Sequence, residues 1–336
     1  MPFSSISRRD FLKLSSLSAV GLFTPRYWPD HTQTKTTKES YRLGRTIQSM
    51  HYYDRPSLSA VQLGYYNTDA VVKVYEKRIG DPEPENNPFW LKTDEGWIHS
   101  SFVQPVGEET HTPETELPAS GFLAEVTVPY SPAYIIKKGA LKQAYRFYYG
   151  TTHWIVGIER DSFGTVWYRT ADDLENITYL VQAQDLRRIT PEEITPLSPG
   201  VPGKRIEVDL AAQRLTAYEG SRIVYMARVS TGYGQGATPA GEYRVERKAP
   251  YSHMSASEFG GNGYDLPGVP WCTFIFWNGI SLHGTYWHNN YGAPMSHGCI
   301  NLLPQAAKWI YRWTDPVVPF DKNYLKADGG TPVIVR

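Results

Sequence analysis

His283-Gly284-Thr285 is followed shortly by Ser296-His297-Gly298-Cys299-Ile300-Asn301. A thiol attacks an acyl carbon as its thiolate, and an unperturbed cysteine titrates near ~8.5. An imidazole within reach can take that proton and later return it to a departing amine. Cys299 has two such neighbours in sequence. His297 is two residues away, and in an extended segment both side chains point to one side. His283 is sixteen residues away and arrives only by folding. Spacing alone does not choose between them. Gly298 beside the nucleophile lets a substrate backbone approach closely, and the peptide N–H groups around Cys299 are candidates for holding an oxyanion. Two other readings compete. His283, His288, His297 and Cys299 are the residue types of a zinc site, but no paired spacing such as H-x3-H accompanies them. A Cys272–Cys299 disulfide would remove the thiol. Cys272, in Trp271-Cys272-Thr273-Phe274, reads instead as a small buried apolar residue.

Outward from this stretch the pattern is one of short strands. Ile206, Val208 and Leu210 alternate with polar residues, Glu219-Gly220-Ser221 turns the chain, and Ile223, Tyr225, Ala227 and Val229 alternate again, predicting a hairpin. Thr238-Pro239-Ala240-Gly241 is a turn before a strand at Tyr243 and Val245. Thr273–Phe276, Ile280–Leu282 and Val333–Val335 extend the sheet. One helix is expected after Leu303, because Pro304 suits a first turn and Leu303, Ala306, Ala307, Ile310 and Trp313 recur at helical spacing. Upstream, Pro191, Pro196, Pro199 and Pro202 mark residues 190–203 as a stiff linker. Residues 107–120, rich in Glu, Thr and Pro, form a second connector. In 41–106, Ala70–Tyr75, Phe89–Lys92 and Trp97–His99 read as strands around a Thr93–Gly96 turn. Gly96-Trp97-Ile98 followed by Phe102-Val103 resembles the closing strands of a bacterial SH3-like barrel. Residues 121–189 repeat this succession in a longer, divergent form. Their Tyr145, Phe147, Tyr148, Tyr149 and Trp154 are expected to serve as core rather than line a ligand groove.

With 336 residues the chain is long enough for two or three domains. Its 34 basic and 34 acidic residues balance, which excludes the basic footprint of a nucleic-acid binder. The 24 Tyr, 12 Phe and 10 Trp among 28 Gly and 25 Pro favour strands and turns. At the N-terminus, Ser7-Arg8-Arg9-Asp10-Phe11-Leu12-Lys13 precedes a modest apolar run, Leu14–Phe23. That run is far short of the roughly 20 residues a spanning helix needs. The twin arginine over residues 1–30 resembles a Tat export signal, which implies a periplasmic or wall-associated protein, tethered if the signal is not cleaved.

The combination of the H-G-T and S-H-G-C-I-N motifs with Ser230-Thr231-Gly232, Thr238–Tyr243 and the Gly330–Val335 ending resembles the YkuD-type L,D-transpeptidases. The likeness covers residues 204–336. It implies a mainly β chain: a YkuD-type β-sandwich catalytic domain with one or two helices, preceded by two small SH3-like β-barrel modules. It implies Cys299 as nucleophile and His283 as base, with the Gly284 carbonyl against the imidazole. Ser296, His297, Gly298 and Asn301 are then the residues that shape the acyl site. The implied partners are peptidoglycan stem peptides, with carbapenems as inhibitors, and no metal or organic cofactor. A wall endopeptidase of the NlpC/P60 plan places its cysteine before its histidine, the reverse of the order here. A wall-binding protein without catalysis would need no reactive thiol.

Overall fold

The computed structural model describes residues 41–81, 85–234, 237–256, 263–326 and 329–336; the arginine pair and its apolar run lie outside them. Residues 41–106 carry β1 (Arg42–Thr46), β2 (Met50–Tyr53), β3 (Gln62–Tyr66), β4 (Val71–Val74), β5 (Glu76–Ile79), β6 (Phe89–Lys92), β7 (Trp97–His99) and β8 (Val103–Val106). They form two sheets, β4-β1-β8 and β3-β2-β7-β6-β5. Alternation in β4 sends Val72 and Val74 inward onto Leu91, Ile98 and Val103. Thr93 N–H donates to Gly96 O at 2.8 Å, closing the expected turn between β6 and β7.

Residues 121–189 hold β9 (Phe122–Val126), β10 (Tyr130–Lys137), β11 (Ala140–Tyr148), β12 (Thr152–Arg160), β13 (Val166–Ala171), β14 (Thr178–Gln182) and β15 (Leu186–Arg188). Here the strands join in one seven-stranded sheet, so the pairing differs from that of residues 41–106. The aromatic cluster also divides. Phe147 and Trp154 are buried, as expected of core residues. Tyr145 and Tyr148 are half-buried: Tyr145 packs against this core and also donates to Asp265 of the C-terminal domain, while Tyr148 packs on Tyr286.

The C-terminal domain contains β16 (Lys204–Asp209), β17 (Arg214–Glu219), β18 (Arg222–Arg228), β19 (Gly241–Arg244), β20 (Arg247–Ser255), β21 (Asp265–Phe274), β22 (Ser281–Gly284), β23 (Ile300–Leu302), helix α1 (Pro304–Trp313), β24 (Leu325–Lys326) and β25 (Pro332–Val335). Two five-stranded sheets, β18-β17-β16-β25-β19 and β23-β22-β21-β20-β24, share one apolar core with the helix. Ala306, Ala307, Ile310 and Trp313 of α1 are buried on the expected face. A large aliphatic side chain so buried contributes on the order of 1.5–3 kcal/mol. Lys248 Nζ donates to the carbonyls of Thr314 and Pro316 at 2.8 and 2.7 Å, satisfying acceptors past the helix end. The long β20–β21 hairpin was only partly legible, because prolines and glycines interrupt its alternation.

The N-terminal parts pack directly on the C-terminal domain. Arg45 is buried, paired with Asp69, and donates to Tyr286 O at 3.0 Å. Thr152 Oγ1 donates to Pro250 O at 2.7 Å. His253 lies between Asp172 Oδ2 and Asp265 Oδ1, at 2.7 and 2.5 Å. Burial lowers its pKa, but the two carboxylates outweigh that and raise it to about 9. The imidazolium therefore bridges residues 121–189 and the β20–β21 hairpin at neutral pH.

Candidate active site

β22 and β23 run parallel, pairing Leu282 with Ile300, His283 with Asn301 and Gly284 with Leu302. Side chains alternate across a strand, so Leu282, Ile300 and Leu302 turn into the core. The same alternation places Ser281, His283, Cys299 and Asn301 on the opposite face. Ser281 Oγ accordingly lies 3.8 Å from Cys299 Sγ, and Gly279 O lies 3.9 Å from it. His283 and Cys299 are diagonal neighbours on this face, His283 lying opposite Asn301 and Cys299 two residues before it.

His283 is buried, and its Nδ1 is 3.0 Å from Gly284 O. A carbonyl only accepts, so Nδ1 carries the proton and Nε2 keeps its lone pair. Burial lowers the His283 pKa to about 4 although the Gly284 bond acts in the other direction. Cys299 is half-buried. Burial pushes its thiol up, while the Ser281 N–H and hydroxyl act to lower it. The resting pair is thus a neutral thiol and a neutral imidazole, which is the state a general base requires.

The loop before β23 is bent rather than extended, and this separates the two histidines. Ser296 Oγ donates to Cys299 O at 2.6 Å and accepts from Gly298 N at 3.1 Å. Gly298 adopts φ of 148°, and a Cβ there would lie 2.8 Å from Ala237 O. Only glycine suits the bend. His297 is exposed, with its ring 5.2 Å from that of Tyr264. Gly284 is equally constrained, since a Cβ would come within 2.8 Å of Pro270 Cγ.

Asn301 is fully paired along its backbone with Ser230, at 3.0 and 2.8 Å. Its side-chain amide is 2.9 Å from His288 Nε2. Of the four residues offered as a zinc set, His297 is exposed, while His283 and His288 direct ring nitrogens at Gly284, Asn290 and Asn301. Both cysteines are free, which removes the disulfide reading. Cys272 is buried on β21 and its Sγ contacts Val269 O at 3.3 Å.

Sequence reasoning missed Ser281 and Thr238 as supports. Ser281 precedes His283 by two residues on a strand, and that alternation was the available signal. Thr238 Oγ1 donates to Gly298 O at 2.8 Å and accepts from Gly232 N at 2.7 Å, a link only folding reveals.

Residues 203–335 match the YkuD family, described as the L,D-transpeptidase catalytic domain. L,D-transpeptidase 2 of Mycobacterium tuberculosis is 33% identical over 94 residues, which is 24% of this chain and 22% of that protein. The chain thus spans about a fifth of the length of that curated relative. The catalytic domain of an E. faecium L,D-transpeptidase is 27% identical, with a TM-score of 0.32 over 41% of this chain and 99% of that one. An L,D-transpeptidase from Mycobacterium smegmatis is 20% identical, with a TM-score of 0.33 over 54% and 98%. A further structure is the E. faecium domain acylated by ertapenem, 28% identical with a TM-score of 0.32 over 40% and 96%. The sequence match alone carries the conclusion: residues 203–335 are a catalytic domain of the YkuD family of L,D-transpeptidases.

Proposed function

We propose that this chain cross-links peptidoglycan through a thioester on Cys299, with His283 as its base. The observation that carries the reading is the common face of β22 and β23, where a neutral imidazole with a free Nε2 stands diagonal to the thiol. Cys299 Sγ attacks the carbonyl of the third, diamino residue of a tetrapeptide stem, and its proton passes to His283. The C–N bond to D-Ala breaks, and the departing amine takes the proton from the imidazolium. A side-chain amine of a neighbouring stem then attacks the thioester. The C–S bond breaks, the thiol recovers a proton through His283, and a 3→3 cross-link results. Water in place of the amine would give a carboxypeptidase. Ser296, Gly298 and Gly284 serve by fixing the bend and the imidazole, and His297 contributes to the local shape of the turn rather than to proton transfer.

The test uses strained lactams. A carbapenem carbonyl mimics the scissile amide, so the intact full chain should gain the mass of one inhibitor molecule, located on Cys299 by peptide mapping. The covalent adduct reported for the E. faecium domain motivates this choice. Absence of any adduct with several carbapenems would sink the proposal. Stem peptides incubated with the protein, analysed by mass spectrometry, then identify the acceptor.

Export by the twin-arginine route is the second part of the proposal. Arg8→Lys with Arg9→Lys keeps the charge, yet should leave the protein in the cytoplasm, because a receptor reads this address. Unchanged fractionation of the double variant would assign the general secretory route instead.

A further inference from the structure

His288 takes no part in the steps above, yet it sits between the two reactive residues in sequence and is buried, 3% exposed. Each of its ring nitrogens has one neighbour. The Asn290 N–H donates to Nδ1 at 3.3 Å, and the Asn301 amide lies 2.9 Å from Nε2. Burial, with a smaller contribution from His283, lowers its pKa to about 3 and keeps the ring neutral. A neutral imidazole carries one proton. Because Nδ1 accepts, that proton is on Nε2, and its partner on Asn301 must be an acceptor. With Nδ2 turned toward His288, Asn301 Oδ1 is buried without a partner. Half a rotation of the amide reconciles the tautomer: Nε2–H then donates to Oδ1, and the amide N–H groups take the buried position that has no protein partner.

The other end of this link leaves the domain. Asn290 Oδ1 accepts from Asn86 Nδ2 at 2.8 Å and from Ser101 Oγ at 3.0 Å. Its main-chain carbonyl accepts from Ser230 Oγ at 3.0 Å. The neighbouring Asn289 N–H donates to Ser101 O at 2.6 Å, and Asn87 Nδ2 donates to Asn289 O at 3.3 Å. Residues 41–106 therefore grip the loop that joins the imidazole to the thiol.

We propose that His288 is a positioning residue that orients the Asn301 amide beside Cys299, and that the N-terminal module holds His288 in place through Asn290. The module is then a working part of the catalytic apparatus, in addition to any role in wall targeting. An unmade bond at this depth costs the full desolvation of its partner, so losing His288 should leave the Asn301 amide disordered between its two orientations.

The first test needs no activity. In the full chain with 15N-labelled histidine, long-range 1H–15N spectra near pH 7 should show His288 as the Nε2–H tautomer, assigned by its disappearance in His288→Gln. An Nδ1–H tautomer or an imidazolium overturns the proposal. The kinetic test rests on the transpeptidase reading. His288→Leu should lower kcat roughly tenfold or more, with KM within about twofold. His288→Gln, whose amide N–H can replace Nε2–H, should recover most of the loss. Asn86→Ala with Ser101→Ala should lower kcat too, but add little in the His288→Leu background. Full additivity, or wild-type kcat in His288→Leu, overturns the coupling. Should His288→Leu fail to fold, the Asn86–Ser101 pair and the tautomer still decide. Absence of turnover in the unaltered chain indicts the transpeptidase reading, and the tautomer then tests this inference alone.

Discussion

Cys299→Ala should abolish both transpeptidation and the carbapenem adduct, while Cys272→Ala keeps most of the activity. The contrast follows from where the two thiols sit. Cys299 is half-buried on the face it shares with His283, with Ser281 Oγ 3.8 Å from its sulfur. Cys272 is fully buried on β21, and burial pushes its thiol well above the ordinary range. A thiol that does not ionise and has no path to solvent is no nucleophile. Cys272→Ala removes one buried sulfur and leaves a small void, so its effect should appear as a modest fall in melting temperature. Residual activity is measured on stem peptides, with free-thiol counts run alongside. Equal losses from the two substitutions would refute the assignment.

His283→Ala should lower the rate by about 10²–10⁴, the range for removal of a general acid–base. The pH dependence separates this from damage to the fold. Burial holds His283 neutral down to about 4, so the parent enzyme should stay active below the ordinary imidazole range. Burial also pushes the Cys299 thiol up. Without a base, attack depends on spontaneous ionisation of that thiol, and the remaining activity should rise only at alkaline pH. Alkylation of Cys299 near neutral pH should slow for the same reason. His297→Ala should retain the parent profile even if its rate falls, because His297 is exposed and is not the proposed base. A profile that moves for His297→Ala and stays fixed for His283→Ala would exchange the two roles.

Much of the C-terminal domain was legible beforehand. The helix over Pro304–Trp313 follows from apolar spacing and a proline in its first turn, both local signals. The Glu219–Ser221 turn and the closing Val333–Val335 strand are similarly local. Strand β20 was not, since its nine residues, Arg247–Ser255, mix charged and apolar side chains and are buried mainly by packing from other parts of the chain. In residues 121–189 a succession of strands was expected, but their union into one seven-stranded sheet depends on pairings between distant segments.

The candidate site divides along the same line. Sequence alone determined the residue types and their motif: a thiol, two nearby histidines, and glycines where a backbone must bend. Spacing along the chain could not choose between His283 and His297, because one is near in sequence and the other arrives only by folding. Tertiary structure gives the two histidines different surroundings. His297 is exposed, and parallel pairing of β22 with β23 brings the distant His283 onto the face of Cys299. The contacts of Asn86, Ser101 and Arg45 with residues 286–290 were likewise invisible, since each joins groups about 190 or more positions apart. A hydrogen bond between such residues leaves no periodicity in the sequence, and only the folded chain brings its donor to its acceptor.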